Sequence, residues 1–352
     1  MRFNKLLFSL LVFGWSVSAI CAQEPPKPQP TPAPSPEVIV DDDEPLKVDA
    51  DLVNITFTAA DKERRFVTNL TKDDVKISED GQPQQIFTFE KQISLPLSLA
   101  IVIDTSASQE RTLPEEKRAA LSFIEDVVRP NKDEVAVLSF TGETTLEQSL
   151  TGNPTRLRRA VENVQFVPPS GYVGGGVIMG TPPISGRGQA VAGSTAVWDA
   201  LWVTSDEVLS EAPQGTRRAI ILLSDGVNTF GSKRIDDAVE QALKADAIIY
   251  CVGIGDNYYD GVDKGSLSKI AERTGGRAFF PRDERDLQRA FAQIQDELRS
   301  QYLIAYAPTN EKKDGSYRKI DIQLTNSALD KQKVKLTHRQ GYFSKTAAPA
   351  KK

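Results

Sequence analysis

Histidine occurs once in this chain of 352 residues, at position 338, and cysteine twice, at 21 and 251. One histidine is too few for a hydrolytic zinc centre, which normally uses histidine ligands. His338 also lies far along the chain from any candidate nucleophilic serine, and no Gly-x-Ser-x-Gly turn is present. Both points argue against a Ser-His-Asp hydrolase. Cys251 sits in the apolar run Ile248-Ile249-Tyr250-Cys251-Val252 and reads as a small buried hydrophobe. No basic stripe interrupts a net charge of −5, so neither nucleic acid nor an anionic lipid surface is an expected partner. Long apolar runs are missing too. The longest, Leu6 to Val17, is too short for a spanning helix, which needs about 20 residues.

That run has Arg2 and Lys5 before it and small residues after it up to Ala22, the pattern of a secretory signal peptide over residues 1–22. Ile20 stands where a lipoprotein signal wants a small residue, so an anchor on Cys21 is not expected. Cleavage after Ala22 removes Cys21, which leaves no internal disulfide, and moves the net charge from −5 to −7. The expected location is periplasmic or secreted, with no membrane span.

Proline then dominates residues 23–46, which end in Asp41-Asp42-Asp43-Glu44 and read as a solvated linker. Over 47–94 apolar residues alternate with polar ones (Val53, Ile55, Phe57; Val75, Ile77), and Glu79-Asp80-Gly81-Gln82 marks a turn. From 95 to 300 short apolar runs at 97–103, 134–140, 218–223, 247–254 and 277–280 alternate with helical stripes such as Leu287, Phe291, Ile294 and Leu298. Such alternation predicts an α/β fold with a doubly wound, mostly parallel sheet. Over 301–344 the period returns to two, before a short tail at 345–352. Each flanking block is too small to stand alone. The economical arrangement is one small β-sandwich, with the α/β domain inserted between its two halves.

The first strand of that domain ends in Asp104-Thr105-Ser106-Ala107-Ser108, one carboxylate and two hydroxyls at the edge where open α/β sheets bind ligands. Hard oxygen donors suit Mg²⁺ better than a soft metal. Two more segments supply donors: Leu222-Leu223-Ser224-Asp225-Gly226 ends a second buried strand, and Ser194-Thr195 opens a helix. Taken singly, each segment is equally a cap or a turn former. Together they make a candidate metal site of Asp104, Ser106, Ser108, Thr195 and Asp225.

Asp-Thr-Ser-Ala-Ser, Ser-Thr-Ala-Val-Trp-Asp-Ala and Leu-Leu-Ser-Asp-Gly, in that order, resemble a von Willebrand factor type A domain over about residues 95–300. The flanks, Val53-Asn54-Ile55-Thr56-Phe57 through Glu79-Asp80-Gly81 and Arg339-Gln340-Gly341-Tyr342-Phe343, resemble the secreted von Willebrand factor A-related proteins abundant in acidobacteria. The resemblance implies a Rossmann-like fold and a metal-ion-dependent adhesion site. In it Ser106 and Ser108 would bind Mg²⁺ directly, with Mn²⁺ and Ca²⁺ as alternatives. Thr195 would bind directly or through water, and Asp104 and Asp225 largely through water. It further implies a protein partner whose Asp or Glu side chain fills the open coordination position. A non-catalytic structural scaffold or an accessory subunit of an extracytoplasmic complex is the alternative function, and an enzyme the least favoured class.

Other motifs are set aside. Tyr258 stands where a dinucleotide fingerprint after Gly253-Ile254-Gly255 needs its third glycine. Tyr258 and Leu267 occupy ligand positions of a calcium loop over Asp256, Asp260 and Asp263. The Gly- and Pro-rich insertion at 167–194, just before Thr195, is either a lid over the site or a passive surface insertion.

Overall fold

The computed structural model describes residues 52–91, 95–129, 131–168, 194–255 and 261–346. The expected signal peptide (1–22), the proline-rich linker (23–46), residues 169–193 of the insertion, the acidic stretch 256–260 and the end of the tail lie outside the described residues.

Val53, Ile55, Phe57 and Ala59 put every second side chain into a core, as a strand with one buried face requires, and form β1 (Val53–Ala60). After β2 (Val75–Glu79), Asp80 and Gly81 both take positive φ, 48° and 81°, and turn the chain into β3 (Gln82–Gln84). That is the backbone of a tight two-residue hairpin turn. β4 (Ile86–Lys91) closes the first block.

The α/β segment follows as β5 (Leu97–Asp104), α1 (Leu113–Val127), β6 (Glu134–Phe140), β7 (Thr144–Thr151), α2 (Pro154–Asn163) and α3 (Val197–Val203), which widens into a π-helical stretch, Thr204–Leu209. It continues with β8 (Arg217–Ser224), α4 (Ile235–Lys244), β9 (Ala247–Gly253), α5 (Lys264–Thr274), β10 (Ala278–Phe279) and α6 (Glu284–Arg299). The last block holds β11 (Tyr302–Tyr306), β12 (Tyr317–Leu324), α7 (Ser327–Lys331), β13 (Lys335–His338) and β14 (Gly341–Phe343).

The central sheet has the order β10-β9-β8-β5-β6-β7, parallel except for β7, which pairs antiparallel with β6 at the edge. β7 is amphipathic and partly exposed, so it left no apolar run in the sequence. Along β5, Leu97, Leu99, Ile101 and Ile103 pack with α1, α2 and α6, while Ala100 and Val102 pack with α3, α4 and α5. A strand buried on both faces reads as one continuous apolar run, which is how β5 and β8 look. Helices on both faces make the sheet doubly wound, as expected.

The flanking blocks interleave. One four-stranded sheet runs β13-β1-β11-β4 and the other β14-β12-β2-β3, so each contains strands from both ends of the described chain. Their inner faces share one core of Ile55, Phe57, Ile77, Tyr302, Ile304 and Ile320, among others, with Phe57 and Tyr302 stacked at 5.2 Å. The sandwich touches the α/β segment at the amino-end edge of the parallel strands. Gln340 N donates to Arg273 O at 3.2 Å, and the Arg339 guanidinium pairs with Asp246, just before β9. Among the described residues no helix is long and apolar enough to cross a membrane.

Candidate metal site

The chain leaves β5 toward α1 on one face of the sheet and leaves β8 toward α4 on the other. Neighbouring parallel strands whose connections diverge open a crevice at their carboxyl ends. Ile103 pairs with Leu223, so the next residues, Asp104 and Ser224, meet at the mouth of that crevice. Ser224 Oγ donates to Asp104 Oδ2 at 2.6 Å, and Ser106 N donates to Asp104 Oδ1 at 2.9 Å. The second bond folds the residues after β5 back over the strand end. There Ala107–Gln109 forms one 3₁₀ turn, which brings Ser106 Oγ and Ser108 Oγ to 3.2 Å.

Asp225 follows β8 directly. Its Oδ1 accepts from Val227 N at 2.9 Å, and its carbonyl accepts from Asp263 N at 2.8 Å. Gly226 sits at φ +78°, a turn that side-chain-bearing residues resist, and Leu267 fills the space a Cβ would need. Asp104 is fully buried. Burial first, and then the negative charge of Asp225, push its carboxyl up to about 7, against the pull of Ser106 and Ser224. Two acids are thus gathered at one strand edge and repel each other.

Thr195 lies two residues before α3, whose first helical residue is Val197 and whose cap position is Ala196. The cap position therefore falls on Ala196 and not on the threonine. Its backbone is clamped instead. Thr229 N and Phe230 N donate to Thr195 O at 2.9 and 3.1 Å, Thr195 N donates to Thr229 Oγ1 at 2.9 Å, and Ala196 N donates to Thr141 O, just past β6, at 2.7 Å. These bonds tie Thr195 to the exits of β8 and β6. Val167 N donates to Thr105 O at 3.2 Å, so the residues on either side of the insertion are anchored at this same edge.

A divalent cation fits this donor set on one geometric ground. An octahedral Mg²⁺ with bonds of about 2.0–2.1 Å holds adjacent oxygens about 3 Å apart. The 3.2 Å between the two serine oxygens is close to that spacing. No group of three or more His, Cys, Asp or Glu side chains converges among the described residues. The candidate donors from the sequence are instead two carboxylates and three hydroxyls, of which the structure pairs the Ser106 and Ser108 hydroxyls directly. His338 is elsewhere, in the sandwich, with Nε2 accepting from Ile322 N at 3.4 Å and Nδ1 2.7 Å from Arg339 O. Ser224, Gln109 and Glu116 belong to this region and were not singled out from the sequence. For Glu116 a signal existed: an acid within the apolar stripe Leu113, Ala120, Phe123, Ile124 and Val127.

Two family models, each described as a von Willebrand factor type A domain, match residues 99–228 and 188–293. No curated protein matches the chain. Among solved structures, proximal thread matrix protein 1 from the mussel byssus is 19% identical over 62% of this chain and 49% of its own, with a TM-score of 0.44. The same protein "with zinc occupied MIDAS motif" is 20% identical over 61% and 48%, with a TM-score of 0.45. This chain therefore spans about half the length of the mussel protein. An aerotolerance-related membrane protein from Bacteroides fragilis is 16% identical over 57% of this chain and 98% of its own, with a TM-score of 0.41.

Proposed function

Since the chain is a von Willebrand factor type A domain protein, we propose that Asp104, Ser106, Ser108, Thr195 and Asp225 bind Mg²⁺ and that the ion captures an acidic side chain of a protein partner. The observation that carries the proposal is the pair of serine hydroxyls 3.2 Å apart beside the buried acid Asp104. A cation bound there supplies a Lewis-acidic coordination position for an anionic oxygen. The chain's own residues do the rest. Ser106 and Ser108 present neutral oxygens, which leaves the positive charge only partly compensated and able to attract a further carboxylate. Asp104 is fixed by Ser224 and by the Ser106 amide, so its negative charge stays where a cation needs it. Asp225 adds the second negative charge from the neighbouring strand.

Binding rather than catalysis is proposed because the two serines and the buried acid form a donor set for a cation, and the chain's one histidine, His338, lies in the sandwich. The residue pattern of 1–22 supports export, which places the capture outside the cytoplasm. Titration of MgCl₂ into wild type, Asp104→Ala and Asp225→Ala tests the site. Saturable uptake by wild type, lost in both variants, is expected, and equal uptake by all three would remove the proposal. A pulldown from an extract of the source organism with Mg²⁺ or with EDTA tests the capture. Partners retained equally in both conditions would make the domain a scaffold.

A further inference from the structure

Gln109 and Glu116 are both fully buried and polar, and neither is among the proposed ligands. The Gln109 amide joins three parts of the fold. Its Nε2 donates to Ser108 Oγ at 3.3 Å and to Ile254 O, past the end of β9, at 3.1 Å, while its Oε1 accepts from Thr112 Oγ1 at 3.0 Å. Thr112 stands at the N-cap position of α1, and Glu116 lies four residues on, on the same side of the helix. Both Glu116 carboxyl oxygens are buried without a hydrogen-bond partner of ordinary geometry. Its neighbours along the helix face are Leu113, Ala120 and Phe123. A leucine there would stabilise the fold better than an unsatisfied acid does. A costly residue in a packed stripe calls for a role outside packing.

The charges around Glu116 indicate where that role lies. Burial pushes its carboxyl up to about 8, and the negative charges of Asp104, Asp225 and Glu115 push it the same way, while the Thr112 hydroxyl opposes them. The two proposed metal-site acids are therefore close enough to act on it, and at neutral pH it keeps its proton. We infer that Gln109, Thr112 and Glu116 form a buried strut that positions Ser108 Oγ for the divalent cation, with Gln109 the positioning residue that touches the serine. The inference rests on the metal-site reading above. One Ser108 lone pair accepts the Gln109 N–H, which leaves the other to face an ion. Ser108 cannot rotate away without breaking that bond, and the same amide is held by Ile254 O. Thr112 gives its proton to Gln109, and the acceptor the proposal assigns to the proton that Glu116 retains is the Thr112 oxygen, one turn back on the same face of α1.

The test is calorimetric titration of MgCl₂ into the full chain, paired with thermal unfolding in EDTA. It uses wild type, Gln109→Leu, Glu116→Leu, Glu116→Gln and Thr112→Val. Residues that orient metal ligands typically change affinity by about ten-fold or more when removed, so Gln109→Leu and Glu116→Leu are expected to weaken Mg²⁺ by at least that factor. Glu116→Gln, whose N–H replaces the acid's O–H, is expected to stay within about three-fold of wild type. Glu116→Leu should melt in EDTA at or above the wild-type temperature, which separates loss of positioning from general damage. Wild-type Mg²⁺ affinity in either leucine variant would overturn the strut. Thr112→Val keeps the test decisive if the leucine variants do not fold. It is isosteric at a half-buried position, and undiminished affinity there also overturns the strut. A wild-type chain silent to Mg²⁺ overturns the metal site itself, and the strut with it.

Discussion

Asp104 and Glu116 hold protons in the folded chain that they release when unfolded. Their carboxyls rise from 3.8 to about 7 and from 4.5 to about 8, each chiefly through burial. Between those limits the folded state binds more protons than the unfolded one, so stability falls as pH rises. Without metal, the protein should therefore melt at a lower temperature at pH 8 than at pH 5. Asp104→Asn, which cannot ionise, should lose less over the same range. Excess Mg²⁺ should flatten the wild-type curve, because a cation favours the ionised acids that burial penalises. Melting curves in EDTA and in Mg²⁺ at both pH values check this, and an EDTA melting temperature independent of pH would contradict it. Asp104, Ser106, Ser108 and Asp225 were legible in the sequence because a strand buried on both faces leaves an unmistakable apolar run, and polar residues at its end stand out. Gln109 and Glu116 were not. Glutamine in a turn and glutamate in an amphipathic helix ordinarily face water, and only the positions of Leu113, Ala120 and Phe123 mark Glu116 as inward.

Among the elements, the two halves of the sandwich are joined by more than their shared core. Glu79 on β2 is buried and accepts from Tyr306 on β11 at 2.7 Å, from Tyr342 on β14 at 2.9 Å and from Arg318 on β12 at 3.2 Å. One acid from the first block is thus satisfied entirely by the last block. Arg318 is itself buried and also donates to the carbonyls of Asn310 and Lys312. Removing one member of a buried ion pair strands the other, at a cost of about 3–5 kcal/mol. Arg318→Met should destabilise by about that much in urea unfolding. Glu79→Gln combined with Arg318→Met should be less destabilised than Arg318→Met alone. The neutral amide can still accept from both tyrosines, and no unpaired charge remains. A double variant that loses the full sum of the single changes would show that the ion pair does not couple the halves. The interleaving itself could be inferred from the sequence, since neither block had enough strands to bury its own face. The pairing order could not. β1 and β4 both pair with β11, and β2 pairs with β12, so the order rests on pairings between strands from opposite ends of the described chain.

For the molecule as a whole, the proposed metal site and the sandwich occupy opposite edges of the parallel sheet. Asp104, Ser106, Ser108 and Asp225 gather at the carboxyl ends of β5 and β8, whereas the Arg339–Asp246 and Gln340–Arg273 contacts lie at the amino ends of β9 and β10. The α/β segment has its own apolar clusters on each face of the sheet, and the sandwich has a third. The two bodies also meet where Thr58 Oγ1 reaches Glu297 Oε1 at 3.4 Å, where the backbone of Arg339 closes over Gly275, and where Phe343 packs against the apolar cluster of α3, α4 and α5. Bodies with separate cores unfold as separate units when each core is sufficient for its own body. Calorimetry should accordingly resolve two transitions. A ligand that binds only one folded unit stabilises only that unit, by about 2.7 kcal/mol at a hundred times its dissociation constant. Mg²⁺ should therefore raise the α/β transition alone, and Arg318→Met should lower the other alone. If one transition moves as a whole with both perturbations, the two bodies are thermodynamically one. Occupancy of the proposed ion site would then be felt at the far edge of the sheet.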